Sequence, residues 1–178
     1  MKGYFVPIFT PFNKDGSIDM PALQENILYL IDEGIHGITM TGSFGEFALL
    51  SFEERISLYE LAVETASGRC TIVAGTAHAQ TQQTILLSQA AEKSGVDGIM
   101  LISPYYLLPS ENDLRNHFTL VSQNVSIPIT IYNNPPRTGI NMSPIFLAEL
   151  SKLDNVATIK QSSDNFFFSA PAGDDYLT

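Results

Sequence analysis

The chain has 178 residues, of which 44% are hydrophobic and only 16% are charged. This composition is ordinary for a globular protein and excludes an intrinsically disordered one. Its 9 basic and 19 acidic side chains give a formal net charge of −10, which repels nucleic-acid phosphates and anionic lipid surfaces. The one cysteine, Cys70, excludes an intrachain disulfide framework and a cysteine-based zinc cluster.

The amino terminus has none of the usual marks of a targeting segment. Its opening stretch, MKGYFVPIFTPF, is apolar but broken by Pro7 and Pro11, and it lacks the basic start of a secretory signal. No stretch approaches the roughly 18 apolar residues of a membrane-spanning helix. We therefore expect a soluble, cytoplasmic protein that has neither nucleic acid nor a membrane as its partner.

Short β-rich runs alternate with amphipathic helical segments along the chain. The runs predict strands at 4–9, 35–41, 70–76, 98–102, 127–132 and 156–160. Between them stand helix-start signals, mainly capping boxes and polar caps beside proline. These signals predict helices that open at Asp19, Ser51, Thr81, Ser110 and Ser143. The last helix is expected to run to Leu153, and the spacing of Ile56, Tyr59, Val63 and Ala66 predicts the buried face of the second.

Strands that alternate with helices at intervals of about 25–35 residues indicate parallel βαβ units. Two folds are built from such units, the doubly wound open sheet and the (β/α)8 TIM barrel. The turn after Phe9 lacks a glycine-rich dinucleotide-binding signature. The side chains that could take part in a reaction all lie at or just after strand ends, and a barrel gathers these ends around one mouth. They are Ser43, Tyr106, Tyr132 and Lys160. We therefore predict one TIM-barrel domain over residues 1–178.

This barrel is expected to be incomplete. A complete (β/α)8 barrel takes about 250 residues, and about 200 at the least. The present chain has room for six units and part of a seventh, and the segment after Lys160 holds no convincing helix. We expect a fragment, a rearranged form or a sequence with a gap after Lys160.

Two strand-terminal residues suggest covalent chemistry. Lys160 ends the sixth predicted strand, so its amine should emerge inside a largely apolar barrel. Desolvation favours the neutral amine that attacks a ketone and forms a Schiff base. Tyr132 ends the fifth strand, and a phenol beside an amine can relay the protons of carbinolamine formation and dehydration. The plainer alternatives are a surface lysine and an aromatic residue that caps the core.

Three other candidates follow neighbouring strands. Residues 42–46, GSFGE, are small enough for backbone N–H groups to face a bound carboxylate, although a plain turn is the alternative. Tyr106 could close the same mouth, and Arg137 could pair with a substrate carboxylate. The three histidines share no metal-ligand spacing, so we expect neither a metal nor a cofactor. Cys70 begins a strand at the opposite face and should be an inert buried thiol.

Four motifs occur in order at the ends of the second, fourth, fifth and sixth predicted strands: GSFGE, SPYY, YNNPPRTG and IK. Together they resemble the dihydrodipicolinate synthase / N-acetylneuraminate lyase family, from about Tyr4 to Asp164. The resemblance implies a (β/α)8 barrel that performs metal-free class I aldol chemistry. Its substrates would be pyruvate, or a related 2-oxo acid, and an aldehyde. Members are commonly homotetramers.

The resemblance also implies a role for each candidate. Lys160 would form the Schiff base, and Tyr132 would relay protons. Ser43 and the backbone N–H of Phe44 would hold the 2-oxo acid carboxylate. Tyr106 would be donated into a neighbouring subunit's site.

Two features bear on the substrate. Phe44 stands where the synthases have a second hydroxyl residue in the proton relay, which favours hydratase-aldolases and sugar-acid aldolases or dehydratases of the family over dihydrodipicolinate synthase itself. Arg137 matches the arginine that receives a second carboxylate in the synthases, which favours the opposite conclusion. The substrate therefore stays open.

The end of the chain motivates a rival hypothesis. Residues 173–175 resemble the family's seventh-strand element, but only 12 residues separate them from Lys160. We expect an internal gap of about 15–20 residues there, roughly one helix. The rival is a non-catalytic barrel fragment that binds a small carboxylate or associates with full-length subunits.

Overall fold

The computed structural model describes residues 2–163. Its six strands form one sheet whose spatial order follows the chain, β1-β2-β3-β4-β5-β6. Every neighbouring pair is parallel. A doubly wound sheet reverses its strand order part of the way along, whereas successive units of a barrel wall do not. The prediction of barrel-type βα units is confirmed.

The strands agree closely with the predicted runs. They are β1 Phe5–Pro7, β2 Gly37–Met40, β3 Thr71–Gly75, β4 Gly98–Ile102, β5 Ile129–Asn133 and β6 Val156–Gln161. The last two extend one residue beyond their predicted ends. Since the strands are parallel, all their carboxyl ends lie at the same edge of the wall.

The helices begin where the sequence predicts. They are α1 Met20–Asp32, α2 Phe52–Ala66, α3 Thr81–Lys93, α4 Glu111–Ser122, α5 Pro135–Thr138 and α6 Pro144–Leu150, with a 3₁₀ turn at Phe47–Leu49. The short α5 and the 3₁₀ turn were not predicted. The predicted end of the last helix is wrong, because α6 stops at Leu150 rather than Leu153. No helix within residues 2–163 is long and apolar enough to cross a membrane.

Side-chain caps fix several of these helix starts. The Ser51 hydroxyl accepts a hydrogen bond from the Glu54 backbone N–H at 3.2 Å, and the Glu54 carboxylate accepts one from the Ser51 N–H at 2.7 Å. Ser110 and Asp113 form the second predicted capping box. A cap of this kind stabilises a helix by about 1 kcal/mol, so these short polar motifs set the register of the helices against the wall.

Alternation along the strands sorts the apolar side chains into two layers. The outer layer lies between the sheet and the helices and includes Ile38, Ile72, Ile99, Leu101, Ile131, Leu58 and Phe118. The inner layer faces the barrel interior and includes Val73, Met100, Ile102 and Tyr132. The outer layer therefore holds the helices to the wall, and the inner layer surrounds the space in which a ligand would lie.

The face of α2 predicted from Ile56, Tyr59, Val63 and Ala66 only partly coincides with its fully buried face, although Val63 still packs against the core. Ile56 and Val63 are only half-buried, and the buried residues are Arg55, Leu58, Tyr59, Ala62, Thr65 and Ala66. Arg55 also lies on the buried side of the helix, where it donates hydrogen bonds to backbone carbonyl groups. Apolar spacing alone gives no sign of such a bond.

Candidate active site

Lys160 and Tyr132 lie next to each other at the carboxyl ends of β6 and β5. The two residues are directly opposite in the parallel register of these strands. The Lys160 Nζ atom is 4.2 Å from the centroid of the Tyr132 ring. An amine and a phenol from separate predicted strands are thus brought within reach of one small molecule.

The Tyr132 side chain is fixed by its surroundings. It is only 8% exposed and belongs to the inner apolar layer. Its hydroxyl oxygen lies 3.2 Å from the Ser162 Oγ atom, and either group could donate the hydrogen bond. Sequence reasoning missed Ser162, although its place two residues after Lys160 is the signal that strand alternation provides. The pair links the phenol to an exposed hydroxyl group.

Lys160 borders a cavity of about 350 Å³ in the barrel interior. Most of the lining is apolar, including Val73 and Met100, and Thr39, Thr130 and Thr158 contribute hydroxyl groups. Lys160 itself is half-buried. The Lys160 amine is therefore less desolvated than the sequence predicts, because within the described residues β6 has a paired neighbour on one side only.

Residues 42–46 form a tight turn after β2. The Gly45 N–H donates to the Gly42 carbonyl at 3.0 Å, and the Glu46 N–H donates to the Ser43 carbonyl at 3.4 Å. A Cβ atom on Gly45 would lie 3.0 Å from the Thr41 Cα atom, so a larger residue would have to displace backbone. Within residues 2–163, no hydrogen bond engages the backbone N–H of Ser43 or Phe44. These two donors are therefore unoccupied in the described chain, and anion binding by this loop stays a prediction.

The aromatic residues after β4 point in different directions. Tyr105 is half-buried and packs edge-on against Phe47, with 5.6 Å between the ring centroids. Tyr106 has a φ of +77° and is 91% exposed. The Tyr106 ring therefore faces solvent in this chain, and its role at a mouth stays a prediction.

Arg137 is held near the mouth by a rigid turn. It lies on α5, directly after β5, and its side chain is exposed. The fully buried Asn133 fastens this turn, because its side chain donates to Asn141 Oδ1 at 2.9 Å and accepts from the Met142 N–H at 3.1 Å. Sequence reasoning missed Asn133, although an asparagine that ends a strand before Asn134 and two prolines is a turn signal.

A buried polar cluster lies beneath the 42–46 turn and was also missed. The Gly75 carbonyl oxygen, at the end of β3, accepts hydrogen bonds from Arg55 Nη2 at 2.6 Å, Tyr59 OH at 2.8 Å and Thr41 Oγ1 at 2.8 Å. Arg55 also donates to the Ala77 carbonyl at 3.1 Å. The partners are 16 to 34 residues from Gly75 along the chain, so no local pattern could reveal them. We call these four residues, Thr41, Arg55, Tyr59 and Gly75, the Gly75 cluster.

The remaining titratable candidates have structural surroundings. Burial lowers the pKa of His117 to about 4, and its Nδ1 atom lies 2.9 Å from Thr81 Oγ1. Cys70 is buried just before β3, at the end of the wall opposite the mouth, and burial raises the pKa of its thiol. Within the described range, no three His, Cys, Asp or Glu side chains are grouped so that they could hold a metal ion.

Comparison with known proteins identifies the family. Residues 1–170 match the model of the dihydrodipicolinate synthetase family. The chain belongs to this family. It is 36% identical to the 4-hydroxy-tetrahydrodipicolinate synthase of Methanosphaerula palustris over an alignment that covers 99% of this chain and 66% of that protein.

Solved structures agree with the fold. The crystal structure of dihydrodipicolinate synthase from Aquifex aeolicus matches with a TM-score of 0.91 and 36% identity, over 94% of this chain and 57% of that one. YagE, a prophage protein of the dihydrodipicolinic acid synthase family from Escherichia coli K12 solved in complex with pyruvate, matches with a TM-score of 0.88 and 35% identity, over 91% and 55% of the respective chains. The predicted fold class is confirmed.

The chain spans between half and two thirds of the length of these proteins. The alignment to the Methanosphaerula protein runs over 192 positions, although the present chain has 178 residues. At least 14 positions of the aligned stretch of that relative therefore have no counterpart here, and a single gap of one helix stays a prediction. The predicted place of the gap, and the element at residues 173–175, lie outside the described residues.

Proposed function

We propose that this chain carries the imine-forming half of a Schiff-base lyase or synthase that acts on pyruvate or a related 2-oxo acid. The observation that carries the proposal is the 4.2 Å separation of Lys160 Nζ and the Tyr132 ring at the mouth of the barrel wall. Membership of the dihydrodipicolinate synthetase family supports it. So does the similarity to YagE, whose structure was solved with pyruvate.

In the proposed reaction, the neutral Lys160 amine attacks the C2 carbonyl carbon of the 2-oxo acid and forms a carbinolamine. The Tyr132 hydroxyl donates a proton to the departing hydroxyl group, which leaves as water, and an iminium ion remains. The phenolate then regains a proton through Ser162, whose Oγ atom is 3.2 Å away. The iminium withdraws electrons from C3, so a bond at C3 can form or break.

The substrate carboxylate would bind at residues 42–46. The backbone N–H of Phe44 and the Ser43 side chain are the proposed donors, and the free N–H groups of the turn support this assignment. Anion binding by successive backbone N–H groups is a common use of such turns. Arg137, exposed on α5, would receive a second carboxylate where the substrate has one.

Phe44 favours a particular branch of the family. Its ring is 72% exposed and carries no hydroxyl group, so it cannot pass a proton. Phe44 thus favours a hydratase-aldolase or a sugar-acid aldolase or dehydratase, whereas Arg137 favours a 4-hydroxy-tetrahydrodipicolinate synthase proper, and both alternatives remain open. Replacement of Phe44 by Thr should raise synthase activity if a missing relay hydroxyl is the cause.

Tyr106 would act in an assembly of subunits. Its exposed ring and its exposed neighbours Leu107 and Leu108 are suited to insertion into a second copy of the chain. The homotetramer that the family resemblance implies is the proposed assembly. Sedimentation of the native chain beside Tyr106→Ser would show whether association depends on this ring.

The proposal is tested by trapping the imine. The chain is incubated with pyruvate and borohydride, and the reduced adduct is located by peptide mass spectrometry. We expect an adduct on Lys160 in the native chain and in Lys152→Arg, whose lysine is exposed on the other side of the wall from the mouth. Lys160→Arg should give none. Absence of an adduct from the folded native chain would contradict the proposal and favour the non-catalytic, carboxylate-binding fragment.

A further inference from the structure

The Gly75 cluster joins three elements beneath the candidate active site. Thr41 follows β2, Gly75 ends β3, and Arg55 and Tyr59 lie on α2. All three donors are almost completely buried, with exposures of 2%, 3% and 0% for Thr41, Arg55 and Tyr59. The Thr41 Oγ1 and Tyr59 OH atoms are also 3.1 Å apart. The Arg55 Nε atom is buried without a hydrogen-bond partner, but the other donors of the cluster converge on one carbonyl group, which favours one arrangement of the backbone.

Thr41 has an unusual backbone conformation. Its φ is +46°, in the left-handed region that β-branched residues rarely adopt. Such a conformation persists only where surrounding interactions impose it, and it is concentrated at functional sites. The hydrogen bond from the Thr41 hydroxyl to the Gly75 carbonyl is the interaction that holds it here.

The conformation of Thr41 sets the direction of the turn that follows. Gly45 packs back onto the Thr41 backbone, and its carbonyl accepts a hydrogen bond from the buried Thr10 hydroxyl at 2.8 Å. A Cβ atom on Gly75 would lie 2.5 Å from the Thr41 carbonyl oxygen, so β2 and β3 approach as closely as their backbones allow. A change in the cluster must therefore move the turn that presents the N–H groups of Ser43 and Phe44.

Arg55 adds a positive charge to this region. Within residues 2–163, no carboxylate forms an ion pair with it. Burial lowers the pKa of His78, directly after Ala77, and the Arg55 charge adds to this effect. The guanidinium donates to the Gly75 and Ala77 carbonyl groups and lies 5.5 Å from the centroid of the Phe47 ring, and a cation held in this way favours an anionic ligand nearby.

We propose that Thr41, Arg55 and Tyr59 are positioning residues: through the Gly75 carbonyl they hold the 42–46 turn in the conformation that binds the substrate carboxylate. The inference rests on the proposed function in that it takes this carboxylate to be that of a 2-oxo acid. These residues touch no reacting atom in the proposed chemistry. They should therefore govern how tightly the substrate binds rather than how fast the bound substrate reacts.

Two ligands are used so that carboxylate binding by the 42–46 turn can be tested separately from imine formation at Lys160. Pyruvate is titrated in the borohydride trapping assay, which gives a half-saturating concentration and a trapping rate at saturation. Propionate, which has a carboxylate but no ketone, is titrated against ¹⁵N-labelled protein while the Phe44 amide resonance is followed. Tyr59→Phe removes one buried donor and keeps the ring. Tyr29→Phe is its matched control, because Tyr29 is 62% exposed on α1.

We expect Tyr59→Phe to raise the half-saturating pyruvate concentration and the propionate dissociation constant about fivefold, the value of one buried hydrogen bond. The trapping rate at saturation and all values for Tyr29→Phe should stay within about twofold of native, since neither change removes a group that reacts. Arg55→Met should weaken both ligands, and Arg55→Lys should restore part of the loss because it keeps the charge.

Thr41→Gly provides a second variant that should keep the native fold, because glycine adopts a positive φ without strain. It should fold and yet bind both ligands more weakly. Native affinity in folded Thr41→Gly or Tyr59→Phe overturns the positioning role, whether or not the imine is trapped. If the native chain binds propionate at Phe44 but traps no pyruvate, the proposed function fails, and weaker propionate binding by Tyr59→Phe still supports the positioning role. A native chain that binds neither ligand overturns both.

Discussion

β4 and β6 belong to the same parallel sheet but differ in how much of each strand is covered. Every residue of β4 is buried, whereas β6 is half-buried along most of its length and has one paired neighbour within the described residues. The proposed imine-forming lysine nevertheless lies on β6. Within the described residues, the comparison teaches that the packing of β4 contributes more to stability than that of β6, the strand that carries the proposed imine-forming lysine.

The largest effect on the free energy of unfolding should come from replacing an isoleucine by alanine, and this change can be made in both strands. Ile99→Ala in β4 removes a fully buried side chain and leaves a cavity, so we expect the free energy of unfolding to fall by about 3–4 kcal/mol. Ile159→Ala in β6 removes a half-buried one and should cost about 1 kcal/mol. Urea unfolding measures both values. Equal losses would show that β6 is packed as firmly as β4.

A change of pH tests the packing behind β4 and β5. His117 on α4 is 3% exposed, and burial lowers its pKa to about 4 from an ordinary value of 6.5. Below pH 6.5, His117 therefore binds a proton in the unfolded chain, whereas in the folded chain it binds one only when the pH is near 4. Stability is full above pH 6.5 and falls as the pH decreases, by about 2 kcal/mol at pH 5.

Denaturant unfolding at pH 7 and at pH 5 measures this loss. His117→Gln should remove most of the difference between the two pH values, and the exposed His36→Gln should leave it unchanged. A His117→Gln variant that keeps the full pH dependence would show that His117 is hydrated in the folded protein.

The smallest effect concerns a helix cap. Ser51→Ala removes the hydroxyl that accepts the Glu54 N–H at the start of α2, and we expect a loss of about 1 kcal/mol. Ser57→Ala is the matched control, because its exposed hydroxyl only donates to the carbonyl of Glu53 within the same helix. Differential calorimetry of the two variants decides the point; a Ser57→Ala loss as large as that of Ser51→Ala would exclude the cap as the cause.

The features that could be predicted from the sequence are those that short local patterns encode. The capping boxes at Ser51 and Ser110, and the alternation of apolar residues in the strands, are local signals, and they place the elements within a few residues. The proximity of Lys160 to Tyr132 also follows, because consecutive strands of a barrel are neighbours. Sequence reasoning missed Arg55 because its acceptor, the Gly75 carbonyl, is 20 residues away along the chain. An arginine on a helix is ordinarily assigned to the surface, so only the folded arrangement shows its hydrogen bonds.

The most direct test of the central claim, imine formation at Lys160, is a ¹³C NMR spectrum of the native chain with pyruvate labelled at C2. The account predicts a protein-bound imine carbon resonance beside those of free pyruvate, and its loss in Lys160→Arg. A folded native chain that shows only free pyruvate, or an imine signal that persists in Lys160→Arg, would contradict it.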